Sequence, residues 1–171
     1  MKTRLFLITS LLAGSVAVQA GDSKPGTSPN ATAAFDRLKT LVGQWEADTS
    51  SGKVHLSYEL VSAGTAVLER ESSDTMPAML TVYYVDGDRL LLTHYCMAGN
   101  QPRMQAKTFK PDTGELVFQF LDATNLADPG AGHMHNAKFR FVDHNHLTSE
   151  WQFYENGKPK VSETAQYTRV Q

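Results

Sequence analysis

The chain is poor in the residues and motifs that mark the commonest enzyme classes. Its 171 residues contain one cysteine, so no disulfide can form within the chain. No nucleophile elbow, phosphate-binding loop or dinucleotide-binding glycine pattern occurs in it. Nothing in the sequence therefore marks the protein as an enzyme, and its stability has to come from a packed core.

Basic charge and long apolar runs are also scarce. The 16 Lys and Arg residues are outnumbered by 18 Asp and Glu residues, without the clustered basic surface that nucleic-acid binding needs. The apolar run from Leu5 to Val18 is shorter than a typical membrane span. Lys2 and Arg4 precede this run and Val18-Gln19-Ala20 ends it, which is typical of a secretory signal peptide cleaved after Ala20.

The sequence divides into three segments on this basis. Residues 1–20 are predicted to be the signal peptide, so we expect a periplasmic or secreted protein without a membrane span in the mature chain. Residues 21–32 are rich in Gly, Pro, Ser and Thr and are predicted to be a flexible lead-in. Residues 33–171 are long enough for a single domain with its own core.

Hydrophobic periodicity changes once along this domain. Phe35, Leu38, Leu41 and Val42 recur at a spacing of three and four, which predicts a short helix over 33–42 that ends at Gly43. Short alternating segments follow, separated by turn residues such as Asp86-Gly87, a strong hairpin signal. The predicted strands are 43–48, 54–61, 66–72, 79–85, 89–97, 103–109, 115–122, 133–142, 147–154 and 160–169. We therefore predict an all-β fold, an antiparallel meander of about ten strands closed into a barrel, because closure removes exposed strand edges.

A family resemblance rests on the start of the first strand. Gly43-Gln44-Trp45, directly after a short helix, resembles the Gly-x-Trp opening of the calycins: the lipocalins, fatty-acid-binding proteins and nitrobindin-like barrels. The resemblance implies a tryptophan that closes one end of a calycin-like barrel and an interior that holds a small, usually apolar ligand. The later lipocalin motifs are missing, and Tyr167-Thr168-Arg169 reverses the Arg-x-Tyr carboxylate clamp of fatty-acid-binding proteins. The segment from Leu92 to Met104 also resembles exported bacterial proteins of undefined function.

His94 and Arg103 are the first candidate site residues. Alternation along a strand places His94 and Cys96 on one face, and Arg103 follows across a tight turn. A guanidinium beside a neutral imidazole could hold the carboxylate or phosphate of a ligand. The alternative is that Arg103 braces the barrel through an internal acid such as Glu69 or Glu150. Cys96 is either a buried apolar group or a reactive thiol.

Aromatic side chains that alternate along the strands form the second candidate. They would line a ligand pocket or fill a solid core. The members predicted to contact a ligand are Tyr83, Phe118, Phe120, Phe139 and Trp151. Methionines at 76, 79, 97, 104 and 134 would add an adaptable apolar surface.

His133 and His135 form the third candidate, because residues two apart on a strand share a face. With His94 as a third ligand, they could hold zinc or copper. Haem ligation by one of these histidines would be non-covalent, since the chain lacks a Cys-x-x-Cys-His attachment motif. The alternative is a pair of partly buried histidines near a strand end, and the sequence identifies no cofactor.

Three functions remain open from the sequence. The first is an exported, non-enzymatic barrel that binds a small apolar or amphipathic molecule. The second is a metal- or haem-binding barrel that uses His133, His135 and His94. The third is a structural or interaction module with a filled core. A lined cavity would favour the first two functions, whereas a filled interior would favour the third.

Overall fold

The computed structural model describes residues 29–50 and 52–170, so the predicted signal peptide and most of the lead-in lie outside the described residues. The described elements are one helix, α1, a short 3-10 turn at Ser62–Gly64, and ten strands. Their bounds are α1 Pro29–Lys39, β1 Gly43–Thr49, β2 Gly52–Val61, β3 Ala66–Ser73, β4 Met79–Asp86, β5 Arg89–Tyr95, β6 Gln101–Lys110, β7 Glu115–Thr124, β8 His133–Phe141, β9 His146–Glu155 and β10 Lys158–Arg169.

The strands form one closed antiparallel barrel. Each strand pairs with its neighbours in the chain, and β1 closes the barrel by pairing with β10 through Trp45 and Arg169. The predicted hairpin at Asp86-Gly87 joins β4 to β5, with Asp86 opposite Arg89. The predicted all-β, ten-stranded closed barrel with one short helix is confirmed.

Helix α1 covers one end of the barrel. It begins at Pro29 instead of residue 33, because proline fits the first helical position, where its missing N–H costs no hydrogen bond. It ends at Lys39 instead of residue 42. Its apolar side chains Ala34, Phe35 and Leu38 are buried in the core, beside β4, β5 and β6. This face fixes α1 across the end of the barrel where β4 meets β5.

Trp45 and Arg169 complete the same end. The indole of Trp45 is buried and donates a hydrogen bond from Nε1 to the carbonyl oxygen of Leu41, 2.7 Å away. The guanidinium of Arg169 lies 4.2 Å from the centre of the Trp45 ring and donates to the carbonyls of Thr40 and Val42 at 2.7 and 2.8 Å. The last strand is therefore tied to the segment that links α1 to β1.

Large aromatic side chains fill the middle of the barrel. The rings of Tyr83, Phe118 and Phe139 are buried and lie 6.0 to 6.1 Å apart in tilted and edge-to-face contacts. Such contacts stabilise a core beyond the area that they bury. Leu92 and Met104 are fully buried beside them. Aromatic and aliphatic side chains thus fill the middle of the barrel.

A β-bulge in β8 changes which side chains point inward. Met134 pairs with Phe153 and Asn136 pairs with Gln152, so His135 is an extra residue without a register partner on β9. An extra residue shifts the alternation of side chains by one position. His133 and His135 therefore lie on the opposite side of β8 from Met134, which takes the inward position at this end of the barrel.

Helices long and apolar enough to cross a membrane are absent from residues 29–50 and 52–170.

Candidate functional site

A cavity of about 350 Å³ occupies the barrel end opposite α1. It is lined from the first half of β2, the last half of β3, the end of β5 with its following turn, and the adjoining ends of β4, β8, β9 and β10. Its volume lies within the range of small-molecule sites in proteins. At the rim, Met97 and Val161 expose 56% and 54% of their surfaces, so the entrance is apolar.

The cavity wall is mostly apolar. Aromatic rings, thioethers and small aliphatic side chains make up this part of the lining, and methionine lets a wall adapt to ligands of different shape. The apolar lining residues are Val54, Met76, Met79, Met97, Ala98, Met134, Trp151, Phe153, Val161 and Ala165.

His94 contributes the most deeply buried nitrogen of the wall. The side chain, on β5, is 3% exposed and packs against Trp151 with 5.0 Å between ring centres. Its Nδ1 lies 3.0 Å from the hydroxyl of Thr81 on β4, which pairs with it in register. Its Nε2 has no hydrogen-bond partner among the described residues. An unpaired buried polar atom is costly, and of the described atoms in this state only His94 Nε2 belongs to a residue of the cavity wall, which makes it a candidate contact for a ligand.

A hydrogen-bond chain behind His94 sets its tautomer. Thr81 donates its hydroxyl proton to Glu69 at 3.3 Å, and Tyr83 donates to the same carboxyl at 2.7 Å. When Thr81 donates its one hydroxyl proton to the ionised carboxylate of Glu69, its oxygen accepts from Nδ1–H of His94. The Nε2 atom of the neutral ring then carries a lone pair and acts as an acceptor.

Burial keeps His94 neutral. Loss of solvent lowers the pKa of the imidazole to about 4, because the charged form is disfavoured away from water. The same effect raises the pKa of Glu69, although hydrogen bonds from Tyr83 and Thr81 oppose it. At neutral pH the cavity therefore offers an uncharged nitrogen acceptor.

Two carboxyl groups, from Glu71 on β3 and Glu163 on β10, also line the cavity. Burial raises the pKa of Glu71 to about 7, and the nearby negative charges of Glu69 and Glu163 raise it further. Burial and these carboxylates also raise the pKa of Tyr167, another lining residue. Lysine and arginine are missing from the described lining, so the polar part of the wall is acidic.

Two solved structures are similar to this chain in fold. No family model matches the chain, and no curated protein is similar to it. The crystal structure of Rv2717c from M. tuberculosis is similar, with a TM-score of 0.54 and 16% identity, over 85% of this chain and 99% of that one. A crystal structure of a DUF3598-family protein of unknown function from Nostoc punctiforme also has a TM-score of 0.54, with 14% identity over 78% of this chain and 49% of that one. At these identities the likeness shows the fold alone.

The predicted aromatic residues fall in three places. Trp151 lines the cavity, and its contact with a ligand stays a prediction. Tyr83, Phe118 and Phe139 belong to the solid middle of the barrel and are absent from the cavity wall. Phe120 lies elsewhere, stacked on His135 with 5.0 Å between ring centres. The sequence shows which residues face inward, but the depth of each one depends on the stagger of the closed barrel.

Arg103 does not share a cavity with His94. Its Nε donates to Asp122 at 2.6 Å, its Nη2 contacts the same carboxylate, and the two side chains are 42% and 49% exposed. Arg103 pairs in register with Thr93, the neighbour of His94, and paired residues face the same side of a sheet. The expectation that Arg103 holds a ligand beside His94 is therefore wrong. Neither suggested brace, Glu69 nor Glu150, is its ion-pair partner; Asp122 is.

His133 and His135 line a second, shallower depression with Phe120 and Tyr154. His133 bonds to the carbonyl of Ala131 at 2.8 Å, and its Nε2 lies 3.0 Å from Nδ1 of His135. These two histidines and His94 thus line different pockets and do not form one ligand set. In residues 29–50 and 52–170, no three His, Cys, Asp or Glu side chains are grouped to hold a metal ion.

Cys96 lines the cavity on the same side as His94. Burial raises the pKa of its thiol, and the nearby carboxylate of Glu71 raises it further, although the backbone N–H of Ala98 opposes this shift. A thiol with a raised pKa is a poor nucleophile at neutral pH. This environment favours the interpretation of Cys96 as a small apolar wall residue.

The sequence analysis did not identify Glu71 and Glu163 as lining residues. The pattern did carry a signal for Glu71, because Val67, Glu69 and Glu71 alternate on one face of β3. Val67 is an apolar core residue, so the carboxyls that share its face also point inward. The same signal exists for Glu163, because Glu163, Ala165 and Tyr167 alternate on one face of β10 and the last two are buried.

Proposed function

We propose that this protein binds a small apolar or amphipathic molecule inside its barrel and is not an enzyme. The observation that carries this proposal is the apolar cavity of about 350 Å³ with the unpartnered Nε2 of His94 in its wall. A barrel with a filled core would have no lined cavity of this size. The thioethers of four lining methionines suit an adaptable pocket.

The cellular setting and fold family form part of the same proposal. The N-terminal pattern supports an exported, periplasmic or secreted protein. A calycin-like classification is supported by Gly43-Gln44-Trp45 and by the buried Trp45 at one end of the closed barrel. The two similar structures support the barrel fold without adding a ligand.

A haem or metal protein is the second candidate, and one observation favours it. The lone pair on Nε2 of His94 suits an axial ligand of haem iron. The rest of the wall does not fit haem, because Glu71 and Glu163 would repel its two propionates and the described lining supplies no basic partner. His133 and His135 cannot complete the set from their separate pocket. The residues of the cavity wall therefore favour a small apolar or amphipathic molecule over haem or a metal ion.

The experiment is a fluorescence titration with N-phenyl-1-naphthylamine, a neutral apolar probe that emits strongly away from water. The matched variants are A165F and T164F, which place the same ring on the inner and outer faces of β10. Ala165 lines the cavity, whereas Thr164 is exposed on the outside. We expect A165F to weaken binding about tenfold or more because its ring fills the cavity. T164F should stay within about twofold of the parent protein.

A structural module would give a different result. Weak probe binding by the parent protein, or equal loss of binding in A165F and T164F, would contradict the proposal. Thermal unfolding of both variants provides the folding control.

A further inference from the structure

The ionisable carboxyl groups of the cavity wall are not offset by any basic side chain of the described lining. Glu71 and Glu163 are anionic when ionised, and the buried Nε2 of His94 is a hydrogen-bond acceptor. Lysine and arginine do not occur among the described lining residues. A ligand with an anionic head would therefore be repelled, and it would leave the imidazole acceptor without a donor.

A protonated amine meets each of these conditions. It carries the positive charge that two nearby carboxylates favour, and its N–H groups can donate to an imidazole nitrogen. The rings of Trp151 and Tyr167 are further attractive groups for a cation, since aromatic faces carry a negative potential. The apolar remainder of the wall suits an alkyl or aryl body.

We propose that the cavity selects amphipathic molecules with a protonated amine head and discriminates against carboxylates of the same length. This inference rests on the proposed function, because it names the chemical class of ligand for the same cavity. It departs from the carboxylate or phosphate recognition that the sequence suggested for Arg103, since that side chain lies outside, paired with Asp122.

The test uses displacement of N-phenyl-1-naphthylamine by decylamine, 1-decanol and decanoate at pH 7.5, which differ only in the head group. We expect decylamine to bind most tightly and decanoate least, with about tenfold or more between these two. The double variant E71Q/E163Q should weaken decylamine about tenfold while decanol changes by less than about twofold. The variant E59Q, which alters an exposed carboxyl of β2, should leave the order unchanged.

The outcomes separate this inference from the proposed function. If the fluorophore and decanol bind but decylamine binds no better than decanoate, the inference is wrong and the proposed function stands. Unchanged selectivity in E71Q/E163Q would also overturn the inference. If neither the fluorophore nor decanol binds, the proposed function itself fails. Circular dichroism of E71Q/E163Q verifies that a lost preference does not reflect unfolding.

Discussion

Two residues on the cavity wall respond to burial in opposite senses. Burial lowers the pKa of His94 to about 4 and raises the pKa of Glu71 to about 7, because in both cases the uncharged form is favoured. A pKa that differs between the folded and unfolded states makes stability depend on pH. The two residues should therefore give stability slopes of opposite sign over the same range of pH.

The variant E71Q should gain stability relative to the parent protein as the pH rises. The folded parent keeps Glu71 protonated up to about pH 7, whereas the unfolded chain releases this proton near 4.5. The parent therefore loses stability between these values, and glutamine removes the loss. We expect the difference in free energy of unfolding to grow by up to about 3 kcal/mol across this range. Urea denaturation at stepped pH measures it, and a constant difference would contradict the burial of Glu71.

The variant H94Q should show the reverse dependence. The unfolded chain binds a proton on His94 near pH 6.5, whereas the folded parent binds it only near 4. The parent therefore loses stability as the pH falls through this range, and glutamine removes that loss. The difference between H94Q and the parent should thus grow toward low pH. Slopes of the same sign in E71Q and H94Q would rule out this interpretation.

At the scale of elements, the β6–β7 turn is the tightest point of the closed end. Gly114 has a φ of +65°, and a Cβ atom there would lie 2.5 Å from the carbonyl oxygen of Phe141. The same turn accepts a hydrogen bond from the backbone N–H of Phe141 at 2.9 Å. Only glycine can hold this turn against the end of β8 without strain.

The variant G114A should lower the free energy of unfolding by about 2 kcal/mol or more, from a strained backbone together with a steric clash. Gly157 offers the matched control, since its φ is +70° and a Cβ there meets nothing within 4 Å. G157A should therefore show the backbone cost alone. Chemical denaturation of both variants tests the comparison, and equal losses would mean that the contact with Phe141 is unimportant.

The elements themselves were predictable from the sequence, whereas their register was not. Alternation and turn residues located all ten strands, because both signals are local. The outward position of Arg103 follows from its pairing with Thr93 on the neighbouring strand. The local sequence pattern does not determine which residues of two strands pair. The position of His135 depends on a bulge in β8, for which the sequence carries no clear signal. Predictions about the site failed at positions where a shift of one residue in strand register moves a side chain to the other face of the sheet.

At the scale of the whole molecule, the barrel has two unlike halves. The half under α1 is closed by Trp45 and Arg169, and aromatic rings fill the interior next to it. The other half holds the cavity, the acidic wall and His94. The Thr81–Glu69 chain connects them, because it joins the tyrosine hydroxyl of the solid core to the imidazole of the open half. The packed half of the barrel thus orients the His94 imidazole, which lines the cavity in the other half.

Histidine ¹⁵N NMR tests this arrangement most directly, with the His94 signals assigned through H94Q. At pH 7 we expect Nδ1 of His94 to carry the proton and Nε2 to be unprotonated, and we expect the Nε2 resonance to move when decylamine is added. A His94 ring protonated on Nε2, or an Nε2 resonance that ignores a ligand shown by displacement to be bound, would contradict the assignment of this cavity as the binding site.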